Sequence, residues 1–146
     1  MNRVSLLRRI SFSEISVAAH AIWWDKSIAD TIALETTRII NQTYARKFVF
    51  FNGKSSKCLI GGLFYILSYR YDAAKKQKEI ANQLDTSEVT IRASYRKWLE
   101  TFPDLFLDVI GKFSTKTTLR SFVLLDLKKS VLKSENKGTR YLPAAP

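Results

Sequence analysis

Val89, Arg92, Ala93 and Arg96 are paired by spacings of three residues (89/92 and 93/96) and four residues (89/93 and 92/96), so in an α-helix they would share one face. An arginine guanidinium can donate two hydrogen bonds to O6 and N7 of guanine, and a short apolar side chain can contact a thymine methyl group in the major groove. These four residues, here called the outward stripe, are therefore candidates for contacts to base edges. The alternative for Arg92 is an ordinary solvated surface arginine.

The sequence offers few residues for a disulfide, a metal site or catalysis. With one cysteine, Cys58, and one histidine, His20, an internal disulfide, a Cys-rich zinc site and a Ser/His/Asp triad are all excluded. The carboxylates Glu79, Glu88 and Asp104 do not form a recognisable acid/base pair. The sequence therefore predicts a protein that is not an enzyme and that uses no metal ion or cofactor.

The charge balance favours an anionic partner. Lys and Arg number 24 against 13 acidic residues in a chain of 146, a net charge of +11 at pH 7. The excess lies in residues 54–84, which carry +4, and in residues 112–146, which carry +6, whereas residues 85–111 carry −2. Attraction to phosphate is thus expected from the flanks of the outward stripe.

The elements that must position the stripe are predicted to be helices, because helical spacing of apolar residues dominates a chain with five Gly and three Pro. The predicted helices cover residues 13–24, 27–46, 54–71, 76–84 and 87–102. Ser13 is expected to cap the first helix, Leu34 to lie inside the second, and Pro103 to stop the fifth. Trp23 and Trp24 are expected to form and cover the core beside the first helix.

The segment 54–71 is apolar on every side between Cys58 and Leu67, which predicts a helix buried all round. A buried β-strand is the alternative. Gly61 and Gly62 lie in the middle of this segment, where the lack of side chains would let neighbouring helices approach closely.

The two helices on either side of Asp85-Thr86 have the pattern of a helix-turn-helix. Ile80, Ala81 and Leu84 would form the inner face of the first helix. The second helix would turn one apolar stripe to the core, formed by Ile91, Tyr95, Trp98, Leu99 and Phe102. The outward stripe is then the face that a major groove would meet.

Several strings in the same order extend this pattern. They are Gly53-Lys54-Ser55, Gln77 to Ile80, Val89 to Arg92, Ser94 to Arg96 and Pro103 to Phe106. Together they resemble the cyclin-like core repeat of the transcription factor IIB family. The similarity covers about residues 53–106, whereas the two preceding helices agree with that fold by number and length only.

The resemblance implies a five-helix cyclin-like domain over residues 1–111, in agreement with the all-α class that helical spacing predicts. Beyond residue 111 the composition and the apolar spacing predict, within 112–146, a basic C-terminal helix near 119–132 and a flexible tail from Ser134. The resemblance also implies double-stranded promoter DNA as the partner, with Val89 and Arg92 in the groove, and TATA-binding protein and RNA polymerase machinery as further candidates. Arg96 is a third candidate for base contact. Candidates for phosphate contact are Lys54, Lys57, Lys75, Lys76 and Lys78. For each of these, a solvated lysine is the alternative.

The sequence differs from the family in several features, and two other classes of function remain alternatives. Full-length members have a zinc ribbon and two repeats, whereas this sequence has one repeat and Ser56 at the usual Pro. The alternatives are a cyclin-like protein-binding adaptor, with Trp24 or the tail helix as the contact, and a stand-alone helix-turn-helix repressor that dimerises on a palindrome. With no leader and no apolar run of membrane-spanning length, the expected location is intracellular, with DNA.

Overall fold

The computed structural model describes residues 10–113, and within them the protein consists of α-helices and short 3-10 helices without a β-strand. The five α-helices of this range are α1 (Phe12–Ile22), α2 (Lys26–Arg46), α3 (Ser56–Arg70), α4 (Gln77–Leu84) and α5 (Glu88–Thr101). The 3-10 helices are Phe48–Phe51, Pro103–Phe106 and Ile110–Phe113. The all-α class is confirmed, and the strand alternative for 54–71 is wrong.

Short polar side chains fix where the helices begin. Asp25 accepts hydrogen bonds from the backbone N–H groups of Ser27 and Ile28 at 3.0 and 3.3 Å, and Ser55 accepts one from Cys58 at 3.1 Å. α1 is capped by Ser11, whose Oγ accepts from the Glu14 N–H at 3.2 Å, so the prediction of Ser13 as the cap is wrong. Each cap pairs N–H groups that the first helical turn leaves without a partner.

The described residues fall into two compact units, 10–98 and 99–113, and α3 lies at the centre of the first. It packs against α2 and α4, and α1 also packs against α2 and α4. Every residue from Leu59 to Ser68 is buried, so the prediction of a helix covered on all sides is confirmed. Neighbouring residues cover α3 on several sides, which is why its sequence shows no polar face.

The interior face of α2 follows a strict three and four residue spacing that includes Ala29, Ile32, Ile39 and Ile40. Leu34 is 60% exposed, which contradicts the prediction that it lies inside. Two residues beyond Ile32, it is rotated by about 200° to the opposite side of the helix.

The described part of the second unit, from Leu99 to Phe113, contains the end of α5 and two 3-10 helices, and it buries Phe102, Phe106 and Val109. The basic C-terminal helix and tail predicted within 112–146 lie outside the described residues, apart from Lys112 and Phe113. None of the helices within residues 10–113 combines the length and hydrophobicity of a membrane-spanning segment.

Candidate nucleic-acid interface

α5 is held to α3 by side chains on one of its faces. Trp98 Nε1 donates a hydrogen bond to the Leu59 carbonyl at 3.1 Å, and Ser94 Oγ donates one to the Cys58 carbonyl at 2.5 Å. Tyr95 packs its ring 4.7 Å from that of Tyr65, measured between centroids. These contacts fix the rotation of α5 about its own axis.

The two helices approach closely at Gly61 and Gly62, as the sequence predicts. A Cβ atom at Gly62 would lie 2.8 Å from Ser94 Cβ and 2.9 Å from the Ser94 carbonyl carbon, and one at Gly61 would overlap the Ile91 side chain. Carbon atoms in contact are normally about 3.5 to 4.0 Å apart. The absence of side chains at both positions therefore permits the close approach at which Ser94 and Trp98 hydrogen-bond to the α3 backbone.

With that face of α5 against α3, the outward stripe is turned to the surface. Val89 is 66% exposed, and Ala93 and Arg96 are also exposed. Arg92 is half-buried, since it lies on the border between the stripe and the buried face. All four residues remain on one side of the helix, as their spacing predicts.

Arg96 interacts with the edge of the buried face. Burial is the main cause that raises the pKa of the Tyr95 hydroxyl above its ordinary value, followed by the charge of Tyr65. The nearby positive charges of the Arg96 and Arg92 guanidinium groups oppose this rise in pKa. Arg96 is exposed beside Tyr95, so it stays a candidate for base contact together with Val89 and Arg92.

α4 and α5 are joined by three residues, Asp85, Thr86 and Ser87. Asp85 has a left-handed backbone with φ of 57°, and Thr86 N–H donates to the Ala81 carbonyl at 2.9 Å, which ends α4. Ser87 Oγ accepts from the Thr90 N–H at 3.1 Å and thus begins α5. The three-residue connection between α4 and α5 is thus held by local hydrogen bonds.

The five candidate lysines occupy different surroundings. Lys57 lies beside the turn, with Nζ 3.6 Å from Asp85 Oδ2. Lys76 and Lys78 are exposed around the first turn of α4. Lys54 Nζ donates to the Phe50 carbonyl at 2.5 Å and lies 4.5 Å from the Phe50 ring centroid. The Lys54 ammonium group therefore already has partners within the protein.

Lys75 lies in a pocket of about 270 Å³ that the sequence does not predict. Trp23 forms one wall, where its Nε1 donates to the Ala73 carbonyl at 2.9 Å, and Trp24 and Asp72 also line the pocket. Trp23 is buried as expected, but Trp24 is 92% exposed, so its predicted role as cover for the core is wrong. Trp24 follows the end of α1, and helical spacing does not determine its direction.

Metal-binding side chains do not gather within residues 10–113, where no group of three or more His, Cys, Asp or Glu residues could hold an ion. His20 Nε2 pairs with Asp30 Oδ1 at 3.0 Å, and its Nδ1 lies 2.8 Å from the Ser16 carbonyl oxygen. The single histidine thus connects α1 to α2.

Comparisons of the chain with protein-family models, with curated proteins and with solved structures find no match.

Proposed function

We propose that this protein binds double-stranded DNA and contacts promoter bases through α4, the 85–87 turn and α5, acting together as a helix-turn-helix. The observation that carries the proposal is the two-sided character of α5. Trp98 and Ser94 hydrogen-bond one face to α3, while Val89 and its neighbours on the outward stripe lie at the surface. A recognition helix needs this combination of a fixed orientation and an uncovered face.

Charge supports the same proposal. The net charge of +11 favours phosphate, and Lys57, Lys76 and Lys78 are placed around the turn and the start of α4. Contacts of this kind hold a protein on the duplex without selecting sequence, whereas Val89 and Arg92 would supply the selection. Lys54 contributes less, since leaving its site would cost the hydrogen bond to Phe50.

The resemblance of residues 53–106 to the cyclin-like repeat of the transcription factor IIB family supports a more specific proposal. The protein would bind promoter DNA together with TATA-binding protein and affect the RNA polymerase machinery. It would act where the DNA is, in a nucleus or in the cytoplasm of a cell without one. A gel shift with TATA-box DNA, with and without TATA-binding protein, tests this step, and identical binding in both lanes would contradict it.

Arg92→Ala tests the recognition surface itself. If Arg92 bonds a guanine edge, the substitution should cost about 1 to 3 kcal/mol on the preferred site and much less on scrambled DNA. Fluorescence anisotropy on both DNAs measures the difference, and circular dichroism checks that the helices persist. Lys76→Ala is the control, because losing a phosphate contact should weaken both DNAs alike. An unchanged preference in a folded Arg92→Ala variant would show that Arg92 does not read bases.

A protein-binding adaptor is the second candidate, and the exposure of Trp24 favours it. Tryptophan is enriched at the centres of protein interfaces, and Trp24 is 92% exposed. For an adaptor, Trp24→Ala should abolish partner binding, and the protein should show no preference among DNA sequences. The DNA-binding proposal expects the reverse in the anisotropy assay, with Trp24→Ala binding DNA normally.

A further inference from the structure

We propose that Glu88 is a further specificity-determining residue of α5, which accepts a hydrogen bond from the exocyclic amine of a cytosine in the major groove. The inference rests on the proposed function and extends it from the arginine to the first residue of the helix. Glu88 begins α5, its side chain is exposed, and it precedes Arg92 by four residues. In helix-turn-helix proteins, the N-terminal residues of the second helix contact base edges in the major groove.

The capping of α5 leaves this carboxylate available. Ser87 performs the capping, because its Oγ accepts from the Thr90 N–H at 3.1 Å and lies 2.9 Å from Thr90 Oγ1. A glutamate four residues before an arginine commonly pairs with it on a helix. Within residues 10–113, however, neither Glu88 nor Arg92 has such an ion pair, so each side chain can meet its own base.

The chemistry of the carboxylate selects the base. Ionised glutamate only accepts hydrogen bonds, and cytosine N4 is a donor in the major groove. Guanine presents the acceptors O6 and N7 there, and thymine presents O4, so both would place an acceptor against the carboxylate. Adenine offers the N6 amine but also the acceptor N7 beside it, so cytosine is the base with the most favourable edge. Glu88 and Arg92 are separated by about 6 Å along the helix, roughly two base-pair steps. The preferred site should hold a cytosine within about two base pairs of the guanine bound by Arg92.

The same negative charge would also weaken binding to DNA in general, since it approaches the phosphates without pairing with them. Glu88→Gln removes the charge and adds a donor, and a glutamine amide is suited to N6 and N7 of adenine. Glu100→Gln is the matched control. Glu100 is exposed on the same helix, about 18 Å further along its axis, and its replacement changes the net charge equally.

Selection from a randomised duplex library, followed by anisotropy on single-base variants, tests the inference. The wild-type chain should favour cytosine at one position by about tenfold. Glu88→Gln should favour adenine instead at that position alone. Glu100→Gln should retain the preference for cytosine. Equal increases in affinity for all sequences by Glu88→Gln and Glu100→Gln would overturn the inference, leaving the proposed function intact. A wild-type chain that selects no sequence would overturn both.

Discussion

Replacement of Gly62 by alanine tests how closely α3 and α5 must pack. The added Cβ would lie 2.8 Å from Ser94 Cβ and 2.9 Å from the Ser94 carbonyl carbon, below the usual 3.5 to 4.0 Å for carbon contacts. Because one of these atoms is backbone, a change of side-chain rotamer cannot relieve the overlap. We expect α5 to move away from α3, weakening the hydrogen bonds from Ser94 and Trp98 to the α3 backbone.

Two opposing effects set the size of the change. Overpacking a tight contact costs about 1 to 3 kcal/mol, while alanine gains up to about 1 kcal/mol over glycine in helix propensity. Because the added Cβ would meet a backbone atom that cannot rotate away, we take the upper half of the overpacking range and expect Gly62→Ala to lower the free energy of unfolding by about 1 to 2 kcal/mol. At roughly 4 °C for each kcal/mol, the melting temperature should fall by several degrees.

Thermal unfolding followed by circular dichroism measures this change, with two related variants as comparisons. In Gly61→Ala the new Cβ meets the tips of the Ile91 and Leu84 side chains, which can rotate away, so the loss should be smaller. In Gly111→Ala no heavy atom among the described residues lies within 4 Å, and little change is expected. A Gly62→Ala protein that melts at or above the wild-type temperature would refute the close packing of α3 and α5.

Two further predictions follow from charge and from helix capping. Affinity for duplex DNA should fall by roughly a thousandfold between about 50 and 200 mM salt if some six phosphates are neutralised, and an affinity that stays flat in a salt titration would contradict phosphate binding. Asp25→Ala should destabilise the protein by about 1 kcal/mol, because it removes the acceptor for the Ser27 and Ile28 N–H groups, whereas Asp25→Asn should retain most of the stability. Equal melting temperatures for the alanine and asparagine variants would show that the Asp25 cap contributes nothing.

The sequence alone determined the features that depend on neighbours within one or two helical turns. Helical spacing predicted all five described α-helices to within about two residues at most ends, because a helix is formed by local hydrogen bonds. It also indicated that Val89 and Arg92 share a side opposite to Ile91 and Trp98. The cyclin-like arrangement and the helix-turn-helix function stay predictions, since they depend on more than helix positions.

Tertiary structure alone decided what each side chain meets. Spacing did not show that Trp24 lies in solvent, that Lys54 bonds back to Phe50, or that Arg92 is half covered. Each of these outcomes depends on how a side chain is directed at a helix end or on the residues packed beside it. The hydrogen bond from Trp98 to Leu59 joins residues 39 positions apart in the chain, and it fixes which face of α5 is free. A periodic pattern groups residues on a face, but only the packed neighbours determine how much of that face remains uncovered.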